Sequence, residues 1–418
     1  MPKKLGNLAL LIGGYGFGQG TLFLAQTWLV LHAQLPRFTE FGVGFYTVTL
    51  ALLLVDFGST QFLAREIAHH EDVEDANMAA WTSYWRITPV RFGVALICLV
   101  IGLTYAHYSS RFSAAYILFA SPALLIWAFN ATGCLDGFRL SGASGITGSL
   151  PCITSSIALI VTSDIAPGAA GAILGASLSV GYFIAVALQL SILSLTGRKN
   201  RFVLPARAAV ADAAVHSGAA LLTILPGQIY FRLQLAACAI FLAPAATAIF
   251  LYAKQIVTAL SQLIGFIRRV EFADMVAALV RRKGSALGVI ITSQRLGTLI
   301  GALSAFAMML GGLAIHFKGR GELQAAGLAI AAFSPTILTA ALALGFIQGQ
   351  MALRRFQAAA SVSITAVLLS AVATIVLTPV FGVVGLAIAD FLGNFTTICV
   401  CMFLLTNNED LKRSVCAS

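Results

Sequence analysis

Long apolar runs separated by short polar connectors recur along the whole chain. Of its 418 residues, 59% are hydrophobic and only 10% are charged. A soluble domain carries about a quarter charged residues, so a water-soluble fold built from this sequence would lack a polar surface. Crossing a bilayer takes about 20 apolar residues in a helix. The runs therefore predict an all-α integral membrane protein with about a dozen transmembrane helices.

Charged residues, prolines and glycines divide the chain into twelve predicted spans. These spans lie near 8–31, 41–63, 87–107, 113–133, 145–163, 169–195, 214–236, 245–267, 287–315, 324–348, 358–378 and 384–405. The boundary between the seventh and the eighth is the least distinct, because the apolar character barely changes around Pro244.

A small motif repeats at the entry to the sixth and the twelfth span. Gly168 and Gly171 form a G-x-x-G pattern before the sixth, and Gly382 and Gly385 form one before the twelfth. Such repetition predicts a doubled six-helix unit, which is a common transporter architecture with its substrate site between the halves. The predicted organisation is an N-terminal six-helix lobe at 1–195, a basic cytoplasmic linker at 196–213, a C-terminal six-helix lobe at 214–405 and a cytoplasmic tail at 406–418.

The distribution of positive charge predicts the orientation. Eighteen of the 26 Lys and Arg residues fall on one predicted side: Lys3, Lys4, Arg65, Arg86, Arg139, Arg198, Lys199, Arg201, Arg207, Arg268, Arg269, Arg281, Arg282, Lys283, Arg354, Arg355, Lys412 and Arg413. The opposite side holds only Arg37, Arg111, Lys318 and Arg320. Because positive loops stay inside, both termini are predicted to be cytoplasmic. The net charge of +10 then reflects topology and attraction to anionic lipid, not nucleic-acid binding.

Signatures of enzymes and of cofactor sites are missing from the sequence. It contains no G-x-x-x-x-G-K-[ST] loop for a nucleotide. Its seven cysteines are scattered, without the spacing of a zinc site or of a disulfide framework. We therefore expect a protein that is not an enzyme and that needs neither a cofactor nor a metal.

Ionisable residues inside the predicted spans are the candidates for function, because each is costly to place in a membrane. Arg232 and Lys254 lie several residues from the outer ends of two neighbouring spans. Asp56 and Asp390 are the acidic residues placed well within spans, and either is a candidate coupling carboxylate. For Asp56, a buried role at a helix end next to Gly58 is the alternative. An ion pair of the buried cations with Asp390 is the alternative to a binding role.

Two further arginines lie about one turn inside the cytoplasmic ends of their spans. Arg91 is in the third span and Arg295 is in the ninth. At that depth a long side chain can reach the headgroups, so both are predicted to extend to the membrane surface.

Two stretches resemble those of a known transporter group. The first runs from Phe41 to Tyr46 and continues through Val55-Asp56-Phe57-Gly58 to 64–68, and the second covers 248–256. With the G-x-x-G loops, they resemble the polysaccharide and O-antigen flippases of the multidrug/oligosaccharidyl-lipid/polysaccharide exporter superfamily. The resemblance implies a MATE-like, V-shaped pair of six-helix lobes in the bacterial inner membrane. It also implies flipping of an undecaprenyl-pyrophosphate-linked oligosaccharide from the cytoplasmic to the periplasmic leaflet.

The residue chemistry agrees with that implication. An anionic diphosphate needs fixed positive charge where its hydration is lost, and Arg232 and Lys254 are predicted to supply it. Gln228, Tyr252 and Gln255 lie on the same two helices and are candidate sugar contacts. The expected partners are the lipid-linked oligosaccharide, membrane lipids and a glycan polymerase or other assembly proteins.

Three alternatives remain beside this interpretation. A multidrug antiporter of the same superfamily would need acidic cavity residues for cationic substrates. A major facilitator would carry G-x-x-x-D-[RK]-x-G-R after the second span, where this chain has no such pattern. A non-transporting scaffold of a glycan assembly complex is the third, and the buried charges disfavour it.

Overall fold

The computed structural model describes residues 2–31, 35–70, 76–281 and 285–416. These residues form fifteen α-helices and no β-strand. The helices are α1 (Pro2–Leu31), α2 (Leu35–Asp56), α3 (Ser59–His69), α4 (Ala76–His107), α5 (Arg111–Trp127), α6 (Thr132–Gly137), α7 (Ser141–Val161), α8 (Pro167–Leu195), α9 (Arg207–Phe241), α10 (Pro244–Val280), α11 (Ala286–Ser293), α12 (Arg295–Lys318), α13 (Glu322–Ala352), α14 (Phe356–Phe381) and α15 (Val383–Cys416).

The predicted helical membrane architecture is confirmed. Ten segments within the described residues have the length and hydropathy of membrane-crossing helices, and Arg111–Trp127 is a shorter apolar helix. The twelve predicted spans match observed helices, with the fifth extending two residues beyond α7, but three of them are broken. The second comprises α2 and α3, the fourth comprises α5 and α6, and the ninth comprises α11 and α12.

The break between α2 and α3 has a local cause in the backbone. Phe57 and Gly58 both have positive φ angles, 53° and 72°. A left-handed residue cannot continue a right-handed helix, and only glycine adopts this region without a steric penalty. The chain therefore leaves α2 at Asp56 and begins α3 at Ser59 in a new direction.

The chain divides into two compact units, Met1–Gly218 and Ala219–Ser418. The predicted linker is helical in its last part, because α9 begins at Arg207 rather than at residue 214. That the units are equivalent six-helix lobes stays a prediction from the glycine repeat.

In the first unit, α5 and α8 pack closely because α8 carries glycine at the contact. A Cβ added at Gly171 would lie 2.3 Å from the carbonyl oxygen of Phe112, so no larger residue fits. Phe41, Phe112 and Tyr116 fill the adjacent core, and the rings of Phe112 and Tyr116 stack at 6.1 Å. Small residues at such contacts let membrane helices approach each other where lipid provides no hydrophobic drive.

The second unit uses the other copy of the motif in the same way. A Cβ added at Gly385 on α15 would lie 2.4 Å from the carbonyl oxygen of Leu377 on α14. Phe250, Phe333 and Ile337 lie in the core of this unit and join α10 to α13.

Apolar side chains also cover the outer surface. On α4, Ile97, Val100 and Ile101 are each more than 60% exposed. A surface of this kind would be unstable in water, whereas lipid tails solvate it.

Candidate functional site

The candidate site lies where α9, α10, α14 and α15 of the second unit meet. On α9, the polar residues from Gln228 to Gln234 follow Pro226, which interrupts the hydrogen bonding of the helix. Side chains two apart on a helix point to nearly opposite sides, and side chains four apart share one. Tyr230 and Gln234 therefore share one face of α9, and Gln228 and Arg232 share the other.

Asp390 on α15 is the centre of the buried face. Its carboxylate accepts a hydrogen bond from the Gln234 amide at 2.8 Å and forms an ion pair with the Lys254 ammonium from α10. The two charged side chains are 8% and 16% exposed, so both have lost most of their water. Opposite charge and a neutral donor therefore replace the hydration of Asp390.

Further polar groups extend this cluster toward α14. The Gln234 amide also donates to the Tyr230 hydroxyl at 3.0 Å, and that hydroxyl bonds the hydroxyl of Thr374 at 3.0 Å. The Lys254 ammonium also lies over the ring of Phe333 on α13, 5.8 Å from the ring centre. The result is an electrically balanced cluster, because one cation meets one anion within neutral polar and aromatic side chains.

Lys254 and Asp390 lie at comparable depth. Lys254 is ten residues from the start of α10, which is about 15 Å along the helix, and Asp390 is seven residues into α15, or about 10 Å. The hydrocarbon core of a bilayer is about 30 Å thick. Lys254 therefore lies close to the middle of the membrane if α10 begins at its surface.

Arg232 is separate from this cluster. It is exposed, and its nearest polar contact is the carbonyl oxygen of Gln228 one turn earlier, at 3.5 Å. It lies nine residues before the end of α9, or about 14 Å along the helix. A guanidinium at this depth is costly to place among lipid tails, which makes Arg232 a candidate ligand contact.

The remaining predicted contacts are spread over different faces. Gln228 is exposed beside Arg232. Tyr252 is 58% exposed and lines an apolar cavity of about 480 Å³ with Leu303 and Met308, on a different face of α10 from Lys254. The side chain of Gln255 lies outside the part of the structure that is described. The predicted sugar contacts are therefore not gathered around Lys254.

Asp56 belongs to a second polar cluster, at the helix break of the first unit. Its carboxylate accepts from the hydroxyls of Ser59 and Thr60 at 3.0 and 2.9 Å. The amide of Asn130, at the break between α5 and α6, donates to it at 3.4 Å. Asp56 therefore ties two helix breaks together.

Arg91 completes this second cluster, and the prediction that it reaches the membrane surface is wrong. The residue is 0% exposed, and its guanidinium donates to the carbonyl oxygen of Asn130 at 2.8 Å and to the hydroxyl of Ser59 at 3.4 Å. The third predicted span begins at 87, whereas α4 begins at Ala76. Arg91 is thus about 22 Å into the helix rather than one turn from its end.

In the second unit, Arg268 is also buried, although a cytoplasmic position was predicted for it. The eighth predicted span ends at 267 and leaves Arg268 in a cytoplasmic segment, but α10 continues to Val280 and buries the side chain to 1% exposure. Its guanidinium donates to Gln294 at the α11–α12 break and to the hydroxyl of Thr298 at 2.8 Å. One buried arginine therefore holds a helix break in each unit.

The pair of Lys254 with Asp390 was predicted only as an alternative, and the role of Gln234 and Tyr230 in completing the cluster was not predicted. Gln234 and Tyr230 were visible as polar residues in an apolar helix. Their spacing of four residues was the signal that both face the same neighbour.

No protein-family model matches the chain, and no curated protein matches it in sequence. Solved structures do match nearly its whole length. A MATE crystallised in complex with MaL6 is 12% identical, with 97% of each chain covered and a TM-score of 0.74. An outward-facing multidrug resistance MATE family transporter of the MOP superfamily is 15% identical, covering 99% of this chain and 97% of its own, with a TM-score of 0.73. A MATE in the bent conformation is 13% identical, covering 100% and 97%, with a TM-score of 0.72. The predicted MATE-like fold is therefore confirmed.

Proposed function

Because the chain has the fold of the MATE transporters, we propose that it is a membrane transporter that flips an anionic, lipid-linked oligosaccharide by alternating access. The carrying observation is the exposed guanidinium of Arg232, nine residues before the end of the apolar helix α9. A guanidinium binds phosphate oxygens through paired N–H donors, and a diphosphate offers several of them. Arg232 is thus the first contact for the headgroup.

Lys254 has a different role in this proposal. In the structure its ammonium is held by Asp390, so it is not available to a ligand. An arriving phosphate group can replace the carboxylate as the partner of Lys254, while Gln234 continues to donate to Asp390. Binding of the headgroup would then be coupled to release of Asp390, which becomes the candidate carboxylate for a coupling cation.

The state of the membrane carboxylates supports an anionic rather than a cationic substrate. Asp390 is neutralised by Lys254, and Asp56 is enclosed by the donors of Ser59, Thr60 and Asn130. A cationic ligand would have to displace these partners to reach a carboxylate at all, whereas an anionic ligand makes its first contact with the exposed Arg232.

Binding of a prenyl-diphosphate oligosaccharide to purified protein tests this proposal. Arg232→Ala should weaken binding at least tenfold, because a charge-assisted hydrogen bond contributes about 1.5–3 kcal/mol. Arg232→Lys should be intermediate, since it keeps the charge and loses the paired donors. Arg320→Ala, which removes an exposed arginine elsewhere, is the matched control. Unchanged affinity in Arg232→Ala would refute the role of Arg232.

A multidrug antiporter is the second candidate function. The observation that favours it is the similarity in fold to a multidrug resistance MATE family transporter. In that case a membrane carboxylate should carry the activity, as Asp390 would. The antiporter is favoured if cells export a cationic dye and if Asp390→Asn abolishes this efflux while Arg232→Ala leaves it unchanged. The flippase is favoured if no dye efflux is seen and glycolipid binding depends on Arg232.

A further inference from the structure

A second cavity in the second unit lies at the break between α11 and α12, apart from Arg232 and Lys254. It has a volume of about 480 Å³, within the range of about 300–1,000 Å³ typical of ligand sites. Apolar residues such as Leu299, Ala302 and Phe346 form most of its wall. The polar part of the wall is concentrated at the helix break.

Two guanidinium groups, from Arg268 and Arg295, line this cavity, and none of its described lining residues is acidic. Arg268 is buried, and its two terminal guanidinium nitrogens donate to Gln294 and to Thr298. The Glu271 carboxylate lies 3.9 Å away. Its charge is therefore largely balanced.

Arg295 supplies the charge that is not balanced. It is exposed at the first turn of α12, and no hydrogen bond or ion pair joins its side chain to any residue that the structure describes. The nearby Glu271 carboxylate accepts from the backbone N–H groups of Leu296 and Gly297. Arg295 thus presents a free cation beside an apolar chamber.

A cation beside an apolar wall fits one class of ligand. An amphiphile with a negative headgroup and an apolar tail would satisfy Arg295 and the apolar wall at once. The predicted topology places Arg295 near the cytoplasmic surface, where anionic lipids are concentrated. The headgroup would lie at the first turn of α12, and the start of the acyl chain would lie within the cavity.

We propose that the cavity at the α11–α12 break binds one anionic phospholipid through Arg295. The site is distinct from the proposed substrate contact, because Arg232 is on α9 and does not line this cavity. The bound lipid would fix α12 against α10 and α13, the helices that line the cavity with it. Failure of the flippase proposal would leave this one standing.

Native mass spectrometry of the purified protein, titrated with phosphatidylglycerol or phosphatidylcholine, tests the proposal. We expect one tightly retained phosphatidylglycerol and weaker retention of the zwitterionic lipid. Arg295→Gln should weaken retention about tenfold or more, and Arg295→Lys should keep most of it, because the charge remains. Ala302→Phe should also abolish retention by filling the cavity, with Arg295 intact.

Controls separate this site from general effects. Arg320→Gln removes an exposed arginine from elsewhere and should leave retention unchanged, as should Arg232→Ala, which tests independence from the substrate site. Thermal unfolding of each variant shows that it is folded. Equal retention of the two lipids, or full retention in either Arg295→Gln or Ala302→Phe, would overturn the proposal. So would displacement of the lipid by a prenyl diphosphate at equal concentration, because that result would assign the cavity to the transported substrate.

Discussion

Replacing Lys254 with methionine tests whether the ion pair is structural. Met has a similar length to the Lys stem but carries no charge, so packing against Phe333 is kept and only the ammonium is lost. Asp390 would then remain 8% exposed with Gln234 as its donor.

The cost can be worked from this geometry. Removing one partner of a buried ion pair destabilises a protein by about 3–5 kcal/mol. The Gln234 amide still donates to Asp390 in the variant, which places the expected loss near the lower end, about 3 kcal/mol. For a domain of about 150–250 residues this corresponds to a fall in Tm of about 6–12 °C.

The assay is thermal unfolding of purified protein followed by size-exclusion chromatography. Lys254→Met combined with Asp390→Asn should recover most of the loss, because neither charge is then buried alone. Lys318→Met, at an exposed position, is the matched control and should change stability by less than about 0.5 kcal/mol. A Lys254→Met protein as stable as the parent, or a double variant with additive losses, would refute the ion pair.

Three further predictions concern the first unit and the topology. Arg91→Met should lower the free energy of unfolding by about 1–3 kcal/mol for each acceptor left without a donor, and Arg91→Lys should not restore it. Thermal unfolding measures both variants, and an unchanged Tm in both would contradict the buried network. Gly171→Ala should destabilise by about 1–3 kcal/mol through overpacking, whereas Gly168→Ala, where the added Cβ meets nothing within 4 Å, should be neutral; equal unfolding temperatures would contradict the close packing. In a cysteine-free background, a cysteine at Lys318 should react with an impermeant maleimide added outside and one at Arg198 should not; the reverse pattern would overturn the orientation.

The helices could be predicted from the sequence because apolar runs of membrane-crossing length leave few alternatives. Of the breaks, only a helix end beside Gly58 could be anticipated, as an alternative role for Asp56. The break at Phe57 depends on a positive φ at a residue that usually avoids it, and the break at Gln294 carries no proline or glycine at that position. Both breaks are stabilised by arginines from another helix, which is a long-range contact that local patterns do not show.

The candidate site was predictable in part. Asp390 could be anticipated as a partner of Lys254 because acidic residues within the spans are few. The opposite orientation of Arg232 followed from helical spacing only after Tyr230 and Gln234 were seen to face Asp390. Which polar residues pair depends on the packing of α9, α10 and α15, and one sequence does not specify that packing.

Transport by the reconstituted protein tests the central claim most directly. Proteoliposomes would contain a prenyl-diphosphate oligosaccharide with a fluorescent sugar, and quenching by an impermeant reagent would report the fraction of sugar in each leaflet. We predict flipping by the parent protein and by Arg320→Ala, partial flipping by Arg232→Lys, and almost none by Arg232→Ala at equal protein content. Flipping by Arg232→Ala at the parent rate would contradict the account.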